Sequence, residues 1–428
     1  MNDKILHIDA AEFEKEVLQS NQPVIVDFFS EECPPCEVLA PIFERMAEKY
    51  GEHIKFMKIF RQGNRDLAKK LEVSSSPTIL FFKEGRETGK RLTGFLTKPL
   101  VRKAIDEVLG DILPPVEMAR MDCDVIILGA GAAGLSAAIY AARAKLNTVV
   151  IDESVPGGQT ASTYHVANYP GTPGVVRGKE VIENIRKQAQ YFGAKIEDLK
   201  EIFEVNVKDD IKYVRTEDTE YFAKALIIAT GARPRLLPAE GAEEFKGRGV
   251  HYCATCDGAM YQDRQVVVVG GGNSAVEEAV FLTKFASRVT IVHQFDHFQA
   301  SPTAQEEALK NNKIKIIWDS EVRKVNGEGH GLTSILIENV KTNELSEVRT
   351  DGLFAYIGTQ PASQMFKDQV ILDENNYIIA GEDMKTNIAG IFTAGDIRQK
   401  PVRQVVTAAA DGAVAGIMAE RYLTDNRR

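Results

Sequence analysis

Four cysteines fall into two C-x-x-C pairs, Cys33-Pro34-Pro35-Cys36 and Cys253-Ala254-Thr255-Cys256. That spacing serves two chemistries. The thiols of a pair can close a disulfide and exchange it with another, or supply half the ligands of a zinc ion. A single zinc site would have to join pairs more than two hundred residues apart, and neither pair has a second Cys or His pair nearby. The redox reading is therefore the stronger, and no metal is expected. Cys123 stands alone before an apolar run, where a free thiol ordinarily serves as a small core residue.

Each pair needs an element to hold it. Pro23 to Phe29 reads as a buried strand bearing one acid, Asp27. Cys33 follows, and Val38, Leu39, Ile42, Phe43 and Met46 then recur at helical spacing. Cys33 thus falls at a helix N-terminus, where the macrodipole and unpaired N–H groups favour a thiolate. Proline at the first helical positions costs no hydrogen bond. His53 to Ile59 reads as a second central strand, and Ser76-Pro77 opens a third. Glu84-Gly85-Arg86 reads as a hairpin turn, and Pro99 to Leu109 as a closing amphipathic helix. Residues 110–121, with Pro114-Pro115, read as a stiff extended connector. A tether that short raises the local concentration of the first domain at the rest to the ~mM range.

The remainder carries two glycine loops. Val125 to Leu128 is apolar and enters Gly129-Ala130-Gly131-Ala132-Ala133-Gly134, followed by an alanine-rich helix to Ala144 and a strand ending at Asp152. Strand, G-x-G-x-x-G, helix and strand-end acid together specify a dinucleotide site. The glycines allow close approach, the helix N-terminus receives pyrophosphate and Asp152 takes a ribose hydroxyl. The second unit runs Val266 to Val269, Gly270-Gly271-Gly272-Asn273-Ser274-Ala275, a helix to about Phe285, then a strand from Ser287. Two such units with a dithiol just before the second imply a flavoprotein, with FAD in one and a nicotinamide in the other.

Composition narrows the class. The 428 residues are 44% hydrophobic and 26% charged, as in a packed protein, and their length suggests about three domains. A net charge of −9 argues against a nucleic-acid binder held by phosphate contacts. No apolar run spans a bilayer, and the start lacks the apolar core of a secretory signal, so a cytoplasmic location is expected.

Residues 1–109 resemble a thioredoxin through Asp27, the C-x-x-C, Pro41, Ser76-Pro77, Gly85 and Gly94. The resemblance implies that Cys33 attacks a target disulfide, Cys36 resolves it, Asp27 assists proton transfer, and Pro77 is cis at the substrate groove. The stretch Glu32-Cys33-Pro34-Pro35-Cys36 departs from the usual Trp-Cys-Gly-Pro-Cys. Residues 122–428 resemble low-molecular-weight thioredoxin reductases through Gly157-Gly158-Gln159, Asn168-Tyr169-Pro170-Gly171, Ala229-Thr230-Gly231, Cys253-Ala254-Thr255-Cys256-Asp257-Gly258, Thr393-Ala394-Gly395-Asp396 and Arg403-Gln404-Val405. The implied fold class is α/β: an N-terminal thioredoxin fold, then two Rossmann-like domains. Expected limits are 1–109 for the thioredoxin-like domain, 122–232 and 358–428 for the FAD domain, and 233–357 for the nicotinamide domain.

By that resemblance, Cys256 is the flavin-proximal thiol, Cys253 attacks thioredoxin, and Asp257 gives and takes the proton. FAD is held by Gly129, Gly131, Ala133, Gly134, Asp152, Gly158, Gln159, Asn168, Thr230, Gly231, Gly395, Asp396, Arg403, Gln404 and Val405. The nicotinamide falls to Gly270, Gly272, Asn273, Ser274 and His293. A homodimer and a rotation of the nicotinamide domain, about crossings near 232–235 and 356–358, are also implied.

One departure concerns the donor. NADPH-using reductases follow the second unit with an arginine cluster, where this chain has His293-Gln294-Phe295-Asp296-His297-Phe298-Gln299-Ala300-Ser301. A 2′-phosphate then lacks charge-assisted bonds worth ~1.5–3 kcal/mol each. NADH is the expected donor, ahead of relaxed NADH/NADPH use and of a ferredoxin-type protein donor. The expected function is a thioredoxin reductase fused to its own thioredoxin, passing electrons to target protein disulfides. The alternatives are the flavin component of a peroxide-reducing system, and a first domain that only recruits clients.

Overall fold

The computed structural model describes residues 4–31, 33–73, 75–94, 96–110, 117–162, 166, 168–328 and 331–426, with only the backbone at Pro34, Pro35, Ser162, Thr255 and Cys256. Two compact units result, one of Met1–Leu113 with Pro234–Gly358, the other of Pro114–Arg233 with Thr359–Arg428. Within the first unit, residues 4–110 build a five-stranded sheet in the order Ile5–His7, Lys55–Phe60, Val24–Phe29, Thr78–Lys83, Arg86–Thr93. Val24–Phe29 is central, parallel to Lys55–Phe60 and antiparallel to Thr78–Lys83, so five of its six residues are fully buried. The strand after Tyr50 begins at Lys55 rather than at the expected His53. The amides of His53 and Ile54 are bonded to the Tyr50 carbonyl, which keeps both residues in the turn that follows the helix.

The other part of that unit is a parallel sheet in the order Val250–His251, Gly352–Ala355, Gln265–Val269, Arg288–Val292, Ile314–Ile317, with an antiparallel three-stranded meander over Ser320–Arg349. Its valine runs are buried on both faces, as a covered parallel sheet requires. The helix after the second glycine loop is Asn273–Leu282, and Thr283 to Phe285 follow as turns bonded three residues back. It therefore stops short of the expected end at Phe285.

The second unit holds a parallel sheet in the order Ile391–Thr393, Ala225–Ile228, Val125–Leu128, Thr148–Ile151, Lys195–Glu197. The helix Ala132–Arg143 after the first glycine loop crosses Val405–Asp425 closely. A Cβ at Gly412 would lie 2.0 Å from the Ala133 carbonyl oxygen, so only glycine allows that approach. A second sheet corrects the connector reading: Ala119–Asp122 is a strand, parallel to Thr219–Ala223. Its exposed, charged sequence reads as loop, and only the partner strand makes it sheet. Residues 111–116 of the expected connector lie outside the described residues. Ala232–Pro234 and Thr359–Pro361, at the chain's two crossings, pair as a ribbon.

Candidate active site

Cys33 is the N-cap of the helix Pro34–Tyr50 and is disulfide-bonded to Cys36. Its Sγ accepts from the Cys36 amide at 3.3 Å, an interaction that holds sulfur against the positive helix end. The peptide bond Ser76-Pro77 is cis, and the Ser76 carbonyl lies 3.5 Å from Cys33 Sγ. Ser76 Oγ also receives the Arg61 guanidinium at 2.8 Å and Ser30 Oγ at 2.7 Å. These polar neighbours tie the loop before Pro77 to the first dithiol. Glu32 lies outside the described residues.

Asp27 faces inward from the central strand and is 1% exposed. Its Oδ1 is a buried oxygen without a hydrogen-bond partner. Burial pushes its carboxyl up to about 7, against the opposing pull of Lys58 across the strand pair. A carboxyl poised there can take or give a proton at neutral pH. Lys58 carried no sequence signal beyond its place in a strand.

Cys253 is disulfide-bonded and caps the short helix Ala254–Asp257. The side chain of Cys256 lies outside the described residues. The Ala254 amide, first in that helix, donates to the Tyr356 hydroxyl at 2.7 Å. Asp257 is nearly buried and sits 2.9 Å from His251 Nδ1. Burial next to Glu278 and Asp257 holds the Tyr356 phenol well above its ordinary value. Glu278 is itself pushed up to about 7 by burial. The sequence reading missed His251, Tyr356 and Glu278. The available signals were a histidine two residues before Cys253 and an acid in the glycine-loop helix.

The two dithiol helices meet. Pro34–Tyr50 and Ala254–Asp257 approach with Cα atoms within 8 Å of one another. Both belong to the same compact unit.

The first glycine loop is a cradle. Gly129 has φ +104°, and a Cβ there would lie 2.3 Å from the Ala229 carbonyl oxygen. Gly131 caps Ala132–Arg143 with open space where a side chain would stand, which suits a pyrophosphate at a helix N-terminus. Ala133 and Gly134 lie buried in the helix's opening turn. Gly157 donates to the Ala130 carbonyl, laying Gly157-Gly158 against the loop, and Gln159 Nε2 donates to the Ala232 carbonyl. Asp152 accepts from the Ala130 amide at 2.5 Å and from Ser154, so its carboxylate braces the loop as well as ending a strand. A ribose hydroxyl would share those oxygens.

Asp396 follows Gly395 in a helical turn. Its Oδ1 is buried without a hydrogen-bond partner, although Lys400 Nζ lies at an ion-pair distance of 3.5 Å. Arg403 covers the Tyr377 ring at 4.0 Å and reaches the Asp396 carbonyl. Gln404 caps Val405–Asp425 and accepts from Asn168 Nδ2 at 3.2 Å. Thr230 Oγ1 donates to the Ala362 carbonyl, and the Gly231 carbonyl accepts the Ala362 amide. An open cradle at one helix N-terminus, a second helix N-terminus at Val405 and a buried carboxylate oxygen without a hydrogen-bond partner fit a flavin dinucleotide.

The second glycine loop is built alike. Gly270 has φ +130°, and Gly272 caps Asn273–Leu282 with open space beside it. Asn273 Oδ1 takes the Ser301 amide at 2.6 Å, and the Gln299 amide donates to the Gly271 carbonyl. Ser274 is exposed in the first turn. His293 fills the concavity, since a Cβ at Gly271 would lie 2.4 Å from its ring. Burial holds His293 below its ordinary value, hence neutral, and its Nε2 has no partner. Lys341 nearby is paired with Asp296 and Asp319.

Cys123 is inert by comparison, its thiol pushed up to about 12 mainly by burial. Among the described residues there is no His, Cys, Asp and Glu cluster able to hold a metal, and no helix is long and apolar enough to cross a membrane.

Comparisons with known proteins agree with this geometry. A family model described as pyridine nucleotide-disulphide oxidoreductase matches residues 123–412, and one described as thioredoxin matches residues 4–124. A 34.2 kDa protein in the rubredoxin operon of Clostridium pasteurianum is 49% identical over 300 residues, covering 70% of this chain and 97% of that protein. A thioredoxin reductase of Peptoclostridium acidaminophilum is 46% identical over 310 residues, 71% of this chain and 98% of that protein. The crystal structure of Lactococcus lactis thioredoxin reductase (FR conformation) is 40% identical with a TM-score of 0.69, over 71% of this chain and 99% of that one.

Proposed function

The chain belongs to the pyridine nucleotide-disulphide oxidoreductase family and carries a thioredoxin domain ahead of it, and from that premise we propose that it is a thioredoxin reductase that reduces its own thioredoxin domain. The observation that carries this reading is the approach of the helix opening on Cys33 to the helix opening on Cys253 within one unit. Dithiols carried on helices that meet would exchange without a diffusional encounter, which is the gain a tether supplies. When bound, FAD supplies a two-electron carrier between nicotinamide and dithiol. Gly129, Gly131, Ala133, Gly134, Gly158, Gln159, Asn168, Thr230, Gly231, Gly395, Asp396, Arg403, Gln404 and Val405 would hold it, with Asp152 bracing the loop.

The exchange starts from reduced Cys253 and Cys256. The Cys253 thiolate attacks Cys33 Sγ, the Cys33–Cys36 bond breaks, and Cys36 leaves as a thiolate that takes a proton from Asp27. Cys256 then attacks Cys253, releasing Cys33 as a thiolate and closing the second disulfide. Asp257 accepts the proton shed by the second dithiol. Reduced Cys33, at its helix N-terminus beside Pro77, attacks the target protein disulfide, and Cys36 resolves it.

NADH fits the donor site better than NADPH. The groups beside Gly270, Gly272, Asn273 and Ser274 are a neutral His293 and an already paired Lys341. No guanidinium stands between residues 293 and 301 to meet a 2′-phosphate.

The test is a Cys36→Ser, Cys256→Ser protein treated with one equivalent of 5,5′-dithiobis(2-nitrobenzoate), which caps one of Cys33 and Cys253 as a mixed disulfide; attack by the other thiolate then expels thionitrobenzoate and halts at the Cys33–Cys253 disulfide. The expected result is a Cys33–Cys253 crosslink, read by non-reducing peptide mapping, forming at a rate independent of protein concentration. A rate rising linearly with concentration, or no crosslink, overturns the reading.

A further inference from the structure

We propose that His251 is a positioning residue for Asp257, holding its carboxylate beside the second dithiol through a buried Tyr261–His251–Asp257 chain of hydrogen bonds. The inference rests on the reading of Cys253 and Cys256 as a working dithiol.

His251 ends the edge strand Val250–His251 and is 3% exposed. Its Nδ1 lies 2.9 Å from Asp257 Oδ2, and its Nε2 lies 2.6 Å from the Tyr261 hydroxyl. The ring is fixed in rotation as well, stacked on Phe354 with centroids 5.2 Å apart and edge-on to Tyr261. Proton placement follows from the partners. A carboxylate accepts only, so Nδ1 must carry the hydrogen it donates. A neutral ring then leaves Nε2 as an acceptor, and the Tyr261 hydroxyl donates to it. Burial and the nearby Asp257 carboxylate keep Tyr261 protonated, which is the state this chain requires.

The arrangement has a chemical use. Asp257 lies on a helix of only four residues, too short to fix a side chain by itself. The Nδ1–H bond pins Oδ2 and stabilises the charged carboxylate, leaving Oδ1 as the oxygen to exchange a proton with a leaving thiolate. Other ionisable groups around it are Tyr356 and Glu278, with Arg264 and Asp351 near Tyr261. On the helix Pro34–Tyr50, which meets Ala254–Asp257, the acid of the opening turn is Glu37. His251 Nδ1 is the group that meets the Asp257 carboxylate, and it carries the orientation.

The experiment uses the full-length, FAD-loaded protein labelled with [4-13C]aspartate. The Asp257 carboxyl resonance, identified by its loss in Asp257→Asn, is titrated in wild type, His251→Leu and His251→Asn. Leucine removes the donor, and asparagine keeps an N–H near the Nδ1 position. The expected result is a titration midpoint higher by ~1 pH unit in His251→Leu, returned toward wild type in His251→Asn. Steady-state kcat should fall ~10-fold in His251→Leu with KM for the nicotinamide unchanged. An unmoved midpoint, or equal midpoints in the two variants, overturns the proposal. Should His251→Leu fail to load FAD, Tyr261→Phe decides: a smaller shift in the same direction supports the chain, and no shift overturns it. Wild-type protein that reduces no disulfide with either nicotinamide would instead overturn the functional reading, and the carboxyl titration still reports on His251.

Discussion

The two dithiols sit in opposite kinds of surroundings. Cys33 and Cys36 open a 17-residue helix with a wide apolar face, and the acid behind them, Asp27, is buried with an oxygen left unpaired. Cys253 opens a helix of four residues, and the acid beside it, Asp257, is held by His251. One site keeps its acid near neutrality by withholding partners, and the other fixes its acid by supplying one. Desolvation alone shifts a carboxyl toward the neutral form, whereas a donor restores the charged form. The two acids beside two C-x-x-C motifs are therefore not interchangeable parts.

The largest effect expected is from Cys33→Ser. Reduction of a protein disulfide by reduced nicotinamide should be lost entirely, while titration still finds the second dithiol reducible. Retained protein-disulfide reduction would make the first domain a recruiting adaptor instead of a relay.

Asp27→Asn comes next. The Asp27 carboxyl is raised from an ordinary value of 3.8 to about 7. Its contribution to stability is thus fully present below pH 3.8 and is lost as pH rises through 7. The difference amounts to about 4 kcal/mol at most. The variant should be more stable than wild type in urea at pH 8 by up to that amount, with the gain vanishing near pH 4. Asp257→Asn should show no comparable gain, because an amide oxygen there can still accept from His251. A similar gain in both variants would erase the contrast between the two acids.

A smaller effect is expected at the donor loop. Gln294→Arg offers a 2′-phosphate one guanidinium, worth ~10-fold in the NADPH-to-NADH ratio of kcat/KM. Fast flavin bleaching by NADPH in the unmodified protein, measured anaerobically, would show that the phosphate is held elsewhere.

The smallest effect expected is from Arg61→Ala. It removes one hydrogen bond to Ser76 and should cost roughly 1 kcal/mol or less of stability. A larger loss would mean that the loop before Pro77 depends on this guanidinium for its place beside Cys33.

Local signals made much of this legible. Glycine loops, helical periodicity after the first C-x-x-C, and strand patterning all act within about twenty residues, so their elements appear in the fold with ends shifted by a few positions. Residues 119–121 of the strand Ala119–Asp122 read as connector because the pairing partner lies a hundred residues away. His251 carried no pattern of its own, since a histidine in a two-residue strand is ordinary until a carboxylate and a phenol are placed on either side. His293 was legible as a member of the donor loop, but its neutrality was not, because that comes from burial against Gly271.

By itself the sequence determined which groups could do chemistry. It named two dithiols, two dinucleotide loops and an acid beside each dithiol, because residue type and short spacing fix what a segment can bind or donate. Tertiary structure alone decided that the two dithiol helices meet, and which acid is left unpaired and which is held. Those outcomes depend on desolvation and on partners brought in from distant strands, and neither is encoded in any one stretch of chain.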